Sequence, residues 1–337
     1  MDNDKRKIDL IRDAAGSFEV KKRGETNPEP LTGMFSAKGM LLALKANSIF
    51  KIQMADDIDP ERNHIEAKGS TLELYPIGTH NPIVSRTFPQ AKRLLEFAPL
   101  DKKAIEGLLD IYFDVFHEMA QAYLTLTRLE KDYKAALDEF RAVSQEEHSG
   151  SYISDIPQVD SLEIRSKSFF ASVHKALKGL MAYIQKLFPE LKPQFFDKMA
   201  DELEQLHSAN LLLVKVLKNY TGWYKIVWDT RNAIEHPREG FYARVTNMQL
   251  APNLKIDPPC IAYEINGEKV EKADLIGSMA QCLDELLGFS EEILVSSVVA
   301  KVAVNPGLQI YRKRDEEMDP NCPFPYDVTF KPNIIEE

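Results

Sequence analysis

Residues 101–143 read DKKAIEGLLDIYFDVFHEMAQAYLTLTRLEKDYKAALDEFRAV. Ile105, Leu109, Tyr112, Phe116, Met119, Tyr123 and Leu126 recur every three or four positions. That spacing lays them along one face of a helix and predicts an amphipathic helix from Asp101 to about Val143. The same period returns twice. Phe169, Val173, Leu177, Leu180 and Ile184 predict a helix from about Ser161 to Phe188. A third helical region is expected from near Gln194 to Glu235, after the breaks at Pro189 and Pro193. A fourth is expected over Ala273 to Lys301. Each such helix must bury its stripe, and antiparallel packing is the simplest way to do so.

Away from these helices the texture changes. The first ~100 residues carry scattered breakers, as in GETNPEPLTG (24–33) and YPIGTHNP (75–82). Between them, 48–54 and 71–75 read as strands, and Met40–Leu44 and Gln90–Phe97 as short helices. Residues 149–160, with Ser, Gly and Pro157, read as a loop. After Pro237 the chain is strand-like at Phe241–Thr246, Cys260–Ile265 and Glu268–Glu271. Asn266-Gly267 between the last two is a strong hairpin signal. The tail, with Pro306, Pro320, Pro323 and Pro325, reads as irregular. The expected fold class is therefore mainly α: a four-to-five-helix bundle with a β-hairpin insertion and a small N-terminal α/β region. The expected domains are a mixed N-terminal region (1–100), a helical bundle (101–305) with its hairpin at about 241–271, and a tail (306–337).

Composition bounds the function. With 337 residues the chain can bury a sizeable core without staples. Three cysteines, Cys260, Cys282 and Cys322, are odd in number and far apart, so they form neither a disulfide framework nor a zinc ribbon and fit a reducing compartment. The N-terminus, MDNDKRKIDLIRDAAG, lacks the apolar run of a signal peptide. No stretch approaches the ~18 apolar residues needed to cross a bilayer. The cytoplasm is the expected address, with no membrane partner. A net charge of −10 argues against coating nucleic acid along the whole surface, but leaves room for a local basic cleft. No Walker loop, dinucleotide fingerprint, Gly-x-Ser-x-Gly elbow or zinc-ligand spacing occurs, which removes several large enzyme classes.

One segment carries candidate chemistry. On a helical wheel Leu213, Val216, Leu217, Tyr220, Tyr224, Val227 and Ile234 form one stripe, and Arg231 falls near its middle. An arginine on an apolar face is costly unless it is paired or reaches a wet cleft. Pro237 disfavours helical geometry at the residue before it, so the helix should end near Glu235 with His236 just past it. Lys215, Lys218, Lys225, Arg231, Arg238 and Arg244 outnumber Asp229, Glu235 and Glu239 here, making a basic island in an acidic chain.

Arg231-Asn-Ala-Ile-Glu-His236 resembles the motif of the HEPN superfamily (higher eukaryotes and prokaryotes nucleotide-binding): Arg, four to six residues, then His, with a polar residue after the Arg. Asn232 stands at that polar place. The resemblance implies a bundle of four to five helices. It further implies a metal-independent endoribonuclease acting as a homodimer on RNA, with Arg231, His236 and Asn232 catalytic, no cofactor and no metal. A role in bacterial defence or stress response comes from the same resemblance. Lys225 and Arg238 are the expected substrate-contacting cations. Arg-to-His spacing alone is weak: Arg141 and His148 make a second match, but without the polar follower.

Blander readings stand beside this one. Arg231 can pair with Glu235 one turn on, and His236 can sit at the negative end of the helix dipole. The chain would then be a non-catalytic interaction or adaptor protein with a protein partner. Asp56-Asp57-Ile-Asp59-Pro-Glu61-Arg-Asn-His64 is rich in oxygen ligands, yet it lacks a calcium loop's glycine and reads as a solvated acidic loop rather than a cation site. His117 is read as a bundle histidine. Trp223, Tyr224 and Trp228 could stack bases, but their spacing fits packing equally well.

Overall fold

The computed structural model describes residues 6–14, 20–21, 26, 28–146, 156–192, 195–207, 211–252, 255–302 and 307–330. In chain order the elements are α1 (Lys7–Ala14), β1 (Leu31–Ala37), β2 (Met40–Lys45), β3 (Ile49–Gln53), α2 (Ala55–Ile58), β4 (Ser70–Tyr75), α3 (Pro82–Ser85), α4 (Phe88–Leu95) and α5 (Lys102–Glu146). Then come α6 (Leu162–Leu187), α7 (Phe196–Leu206), α8 (Leu212–Glu235), β5 (Tyr242–Thr246), β6 (Gln249–Leu250) and β7 (Ile256–Asp257). The last are β8 (Cys260–Ile265), β9 (Glu268–Asp274), α9 (Leu275–Val302), β10 (Leu308–Arg312) and β11 (Tyr326–Phe330).

The chain divides into two compact units, residues 1–113 with 307–337, and residues 114–306. In the first unit β1 to β4 form an antiparallel sheet in chain order. Leu42, Ala43, Leu44, Ile49, Phe50 and Ile52 are buried on its strands. Phe88 of α4 meets Phe35 and Phe113 edge-on at 5.3 and 5.4 Å. The acidic stretch is tied down by arginines. Arg12 reaches Asp56 (2.8 Å), Asp59 (3.0 Å) and the His64 carbonyl (3.1 Å), and Arg62 reaches Asp9 (3.3 Å), Asp13 (3.0 Å) and Asp56 (2.7 Å). Those carboxylates hold guanidinium groups, and no metal-binding group of His, Cys, Asp and Glu occurs among the described residues.

In the second unit the apolar stripes of α6, α8 and α9 pack together with α7. Phe169, Leu177, Leu180, Tyr183, Leu213, Leu217, Tyr224 and Phe289 are fully buried. The Tyr183 and Ser297 hydroxyls share a hydrogen bond of 3.2 Å between α6 and α9. Strands β5, β8 and β9 make a three-stranded antiparallel sheet. Its β8–β9 hairpin turns on Asn266 and Gly267 with φ of 53° and 87°, the two positive values that a tight primed turn demands.

Four expectations need correction. The structure is 54% helix and 20% strand, with four sheets among the described residues, a mixed α/β fold rather than a mainly helical bundle. Long helices announce themselves through many repeats of one period, whereas strands of two to seven residues offer few. Met40–Leu44 is strand, not helix. A short apolar run fits either state, and the turn at Lys38 and Gly39 (φ 51° and 68°) folds it back on β1. The tail is not irregular throughout: β10 and β11 pair antiparallel, with Pro320, Pro323 and Pro325 between the strands, while Pro306 lies outside the described residues. The third helical region is two helices, α7 and α8. Its expected start at Gln194, His148 and most of the expected 149–160 loop lie outside the described residues. No described helix is long and apolar enough to cross a membrane.

Candidate functional site

Helix α8 ends at Glu235, and His236 is its C-cap with backbone that is no longer helical (φ −131°, ψ 60°). Its N–H still donates to the Asn232 carbonyl at 2.7 Å, closing the last turn. Pro237 then stops the helix, as its ring requires. A turn through Gly240 (φ 68°) bridges Arg238 to Phe241 and sends the chain into β5. The end of α8 therefore has β5 close beside it, within the same unit.

Arg231 is three-quarters buried and its guanidinium is held locally. One terminal nitrogen, Nη1, donates to Asn232 Oδ1 at 3.0 Å, and Nη2 pairs with Glu235 Oε2. The third donor, Nε, is buried without a hydrogen-bond partner. His236 is the opposite case, with a side chain 75% exposed. Its Nε2 lies 3.9 Å from the same Glu235 Oε2. Guanidinium and imidazole thus converge on one carboxylate oxygen, with Asn232 bracing the guanidinium.

Two cavities flank this helix end. One, of about 620 Å³, is lined by Glu163 and Lys167 of α6, Glu235, Pro237 and Tyr242–Val245 of β5. Arg244, exposed on that strand, has no ion pair among the described residues. The other, of about 310 Å³, is lined by Phe195, Asp197 and Lys198 on one side and Tyr224, Lys225, Trp228, Asp229 and Asn232 of α8 on the other. Burial opposes the Asp197 carboxylate, but hydrogen bonds from Lys225 (2.8 Å) and the Tyr224 hydroxyl (3.0 Å) hold its pKa below the ordinary value.

The expected substrate cations separate. Lys225 lines the smaller cavity, paired with Asp197. Arg238 lies past His236, its guanidinium 5.0 Å over the Phe241 ring. Two cations of the basic island are answered by carboxylates from elsewhere: Lys218 pairs with Glu204, as Lys225 does with Asp197. His117, on α5, is not without a partner.

One residue of the region escaped the sequence reading. His174 of α6 is 6% exposed, its ring 4.1 Å from that of Trp228, and its Nε2 has no hydrogen-bond partner. Burial pushes its pKa down to about 4, helped by the positive charges of Lys178 and Arg231. It is therefore neutral at pH 7. The signal was its place between Phe170 and Lys178 at helical spacing, on the flank of the α6 stripe, but nothing in the sequence placed Trp228 against it.

No family model matches the chain, and no curated protein or solved structure matches it either.

Proposed function

We propose that the chain is a metal-independent endoribonuclease of HEPN type, with Arg231, Asn232 and His236 as its site. The observation that carries this is the shared carboxylate oxygen. Arg231 Nη2 and His236 Nε2 both address Glu235 Oε2, so an oxygen of a phosphate put in that place meets a guanidinium and an imidazole together. Displacing Glu235 is cheap, because an i,i+4 ion pair on a helix is worth only about 0.3–0.5 kcal/mol.

RNA brings its own nucleophile. The 2′-OH attacks the adjacent phosphorus, and an imidazole takes its proton. Arg231 grips the phosphate oxygens as charge grows on them. The P–O5′ bond breaks, leaving a 2′,3′-cyclic phosphate and a 5′-OH. The departing 5′ oxygen needs a proton. A second His236, from a second copy of the chain facing the first, is the natural donor, and that is the physical reason for a homodimer. Bacterial defence or stress response, as the setting, belongs to the same proposal.

The second reading is a non-catalytic interaction protein. It is favoured by the two bonds that Arg231 already makes within its own helix, which engage both terminal nitrogens without any substrate.

The test is cleavage of a mixed RNA pool in EDTA by the wild type and by His236→Ala. The expected result is cyclic-phosphate ends from the wild type and a loss of at least about 100-fold in the variant, the usual weight of one acid–base group. Because His236 is exposed, melting should not change. Equal cleavage by both proteins would remove His236 from the mechanism, and absence of cleavage with dimer present would favour the second reading.

A further inference from the structure

We infer that the 310 Å³ cavity beside Asn232 is a subsite for one unpaired nucleobase. This rests on the ribonuclease reading above and adds what sits next to the gripped phosphate. The walls suit a flat ring. Phe195 is 43% exposed although large and apolar, and its ring meets Trp228 at 5.0 Å and 84°. A base laid against these two rings covers surface that the fold leaves open.

The charge balance selects a neutral ligand. Asp197 and Asp229 stand against Lys198 and Lys225, so the formal charge of the lining is zero. Asp197 is taken by Lys225 and Tyr224, and Asp229 accepts from Asn266 Nδ2 at 2.9 Å. A phosphate would find no excess of cations here, and a quaternary ammonium no excess of anions. A nucleobase needs neither. It needs donors and acceptors at its edge, and the lining has both: the Asn232 amide N–H groups, unbonded among the described residues, and the remaining carboxylate lone pairs of Asp229.

Asn232 joins the two sites. Its Oδ1 accepts from Arg231 Nη1, while the same side chain lines the base cavity. The phosphate grip and the base wall are thus two faces of one residue. That geometry makes Asn232 a positioning residue as well as a reader of the base.

The experiment uses the full chain with Trp223→Phe, which leaves Trp228 as its only tryptophan. The four ribonucleosides, which carry no phosphate, are titrated against its emission. The expected result is a saturable change with at least one nucleoside. Phe195→Ala should weaken that binding by at least about fivefold, the low end for one stacking contact, while Phe195→Tyr retains it. No change with any nucleoside would overturn the subsite, as would binding that Phe195→Ala leaves untouched. An equal response to tetramethylammonium chloride would overturn it in favour of a cation cage. The readout separates the two ideas: nucleoside binding without RNA cleavage keeps the subsite and sinks the ribonuclease, and cleavage without nucleoside binding does the reverse.

Discussion

Arginine meets carboxylate in both units, and the two settings differ in one respect that decides what each can do. In the first unit Arg12 and Arg62 reach across 44 to 53 residues of sequence to Asp9, Asp13, Asp56 and Asp59. Those pairs together close the loop between α1 and the Asp56–His64 stretch. In the second unit Arg231 pairs with a carboxylate four residues away on its own helix. The helix stands without that pair, because its apolar face is buried on α6, α7 and α9. A long-range ion pair is therefore part of the fold. A short-range one beside an exposed imidazole is a group that a substrate can borrow.

The sharpest way to break this comparison is to exchange arginine for lysine in each place. Lysine keeps the charge but loses the planar fork. Arg231→Lys should lower RNA cleavage by roughly 100- to 1,000-fold, the range of a lost transition-state donor, with little change in melting. Arg12→Lys should leave cleavage alone and lower the stability of the first unit, because one ammonium cannot replace a fork that spans Asp56, Asp59 and the His64 carbonyl. Hydrogen exchange on the amides of β2 and β3 follows that unit. If both variants instead lose stability alike and cleavage is unmoved, Arg231 is structural.

Acid should separate the two units next. His174 has a folded pKa of about 4 against 6.5 when free. Between those values the unfolded chain binds more protons than the folded one, so stability falls as pH drops from 6.5 towards 4. The full loss is roughly 3 kcal/mol, at about 1.4 kcal/mol per pKa unit. The first unit behaves otherwise. Arg62 holds Asp56 below its ordinary range, and the backbone N–H groups of His64 and Asn63 do the same for Asp59. Groups of that kind stabilise above the unfolded pKa of 3.8, and the contribution fades only as pH falls below it. Trp223 and Trp228, the only tryptophans, both lie in the second unit, so melts followed by tryptophan emission report that unit alone. They should soften on acidification well before β2 and β3 lose protection. His174→Phe should flatten the tryptophan profile, and an unchanged slope would remove His174 as its cause.

The smallest expected effect is the most direct probe of the borrowed arginine. Glu235→Gln removes the carboxylate that occupies Arg231. Stability should shift by no more than about 0.5 kcal/mol, as for other i,i+4 pairs. Cleavage should hold or rise, since the phosphate no longer competes for the guanidinium. A fall in cleavage would mean that Glu235 itself takes part in the reaction.

The legibility of each region follows the same division between near and far. The Arg231 motif could be read because its parts are one helix turn apart and Pro237 marks where the turn ends. The cavity walls could not: Phe195 and Trp228, or Glu163 and Arg244, are brought together by packing that no local spacing encodes. The basic island illustrates what a count along one segment leaves out. Counting charges along one segment suggested a positive surface, yet Glu204 and Asp197 of α7 answer Lys218 and Lys225 across the helix pair.

The sequence by itself determined the long helices, the end of α8 at Glu235 and the Asn266–Gly267 hairpin, because side-chain period, proline sterics and positive φ act within a few residues. Only the tertiary structure decided that Met40–Lys45 is a strand, that the tail closes a β10–β11 pair, and that His174 lies against Trp228 within reach of Arg231's charge. Those outcomes depend on which distant partner buries a given face, and a short apolar run or a lone histidine is compatible with several partners until the rest of the chain has chosen.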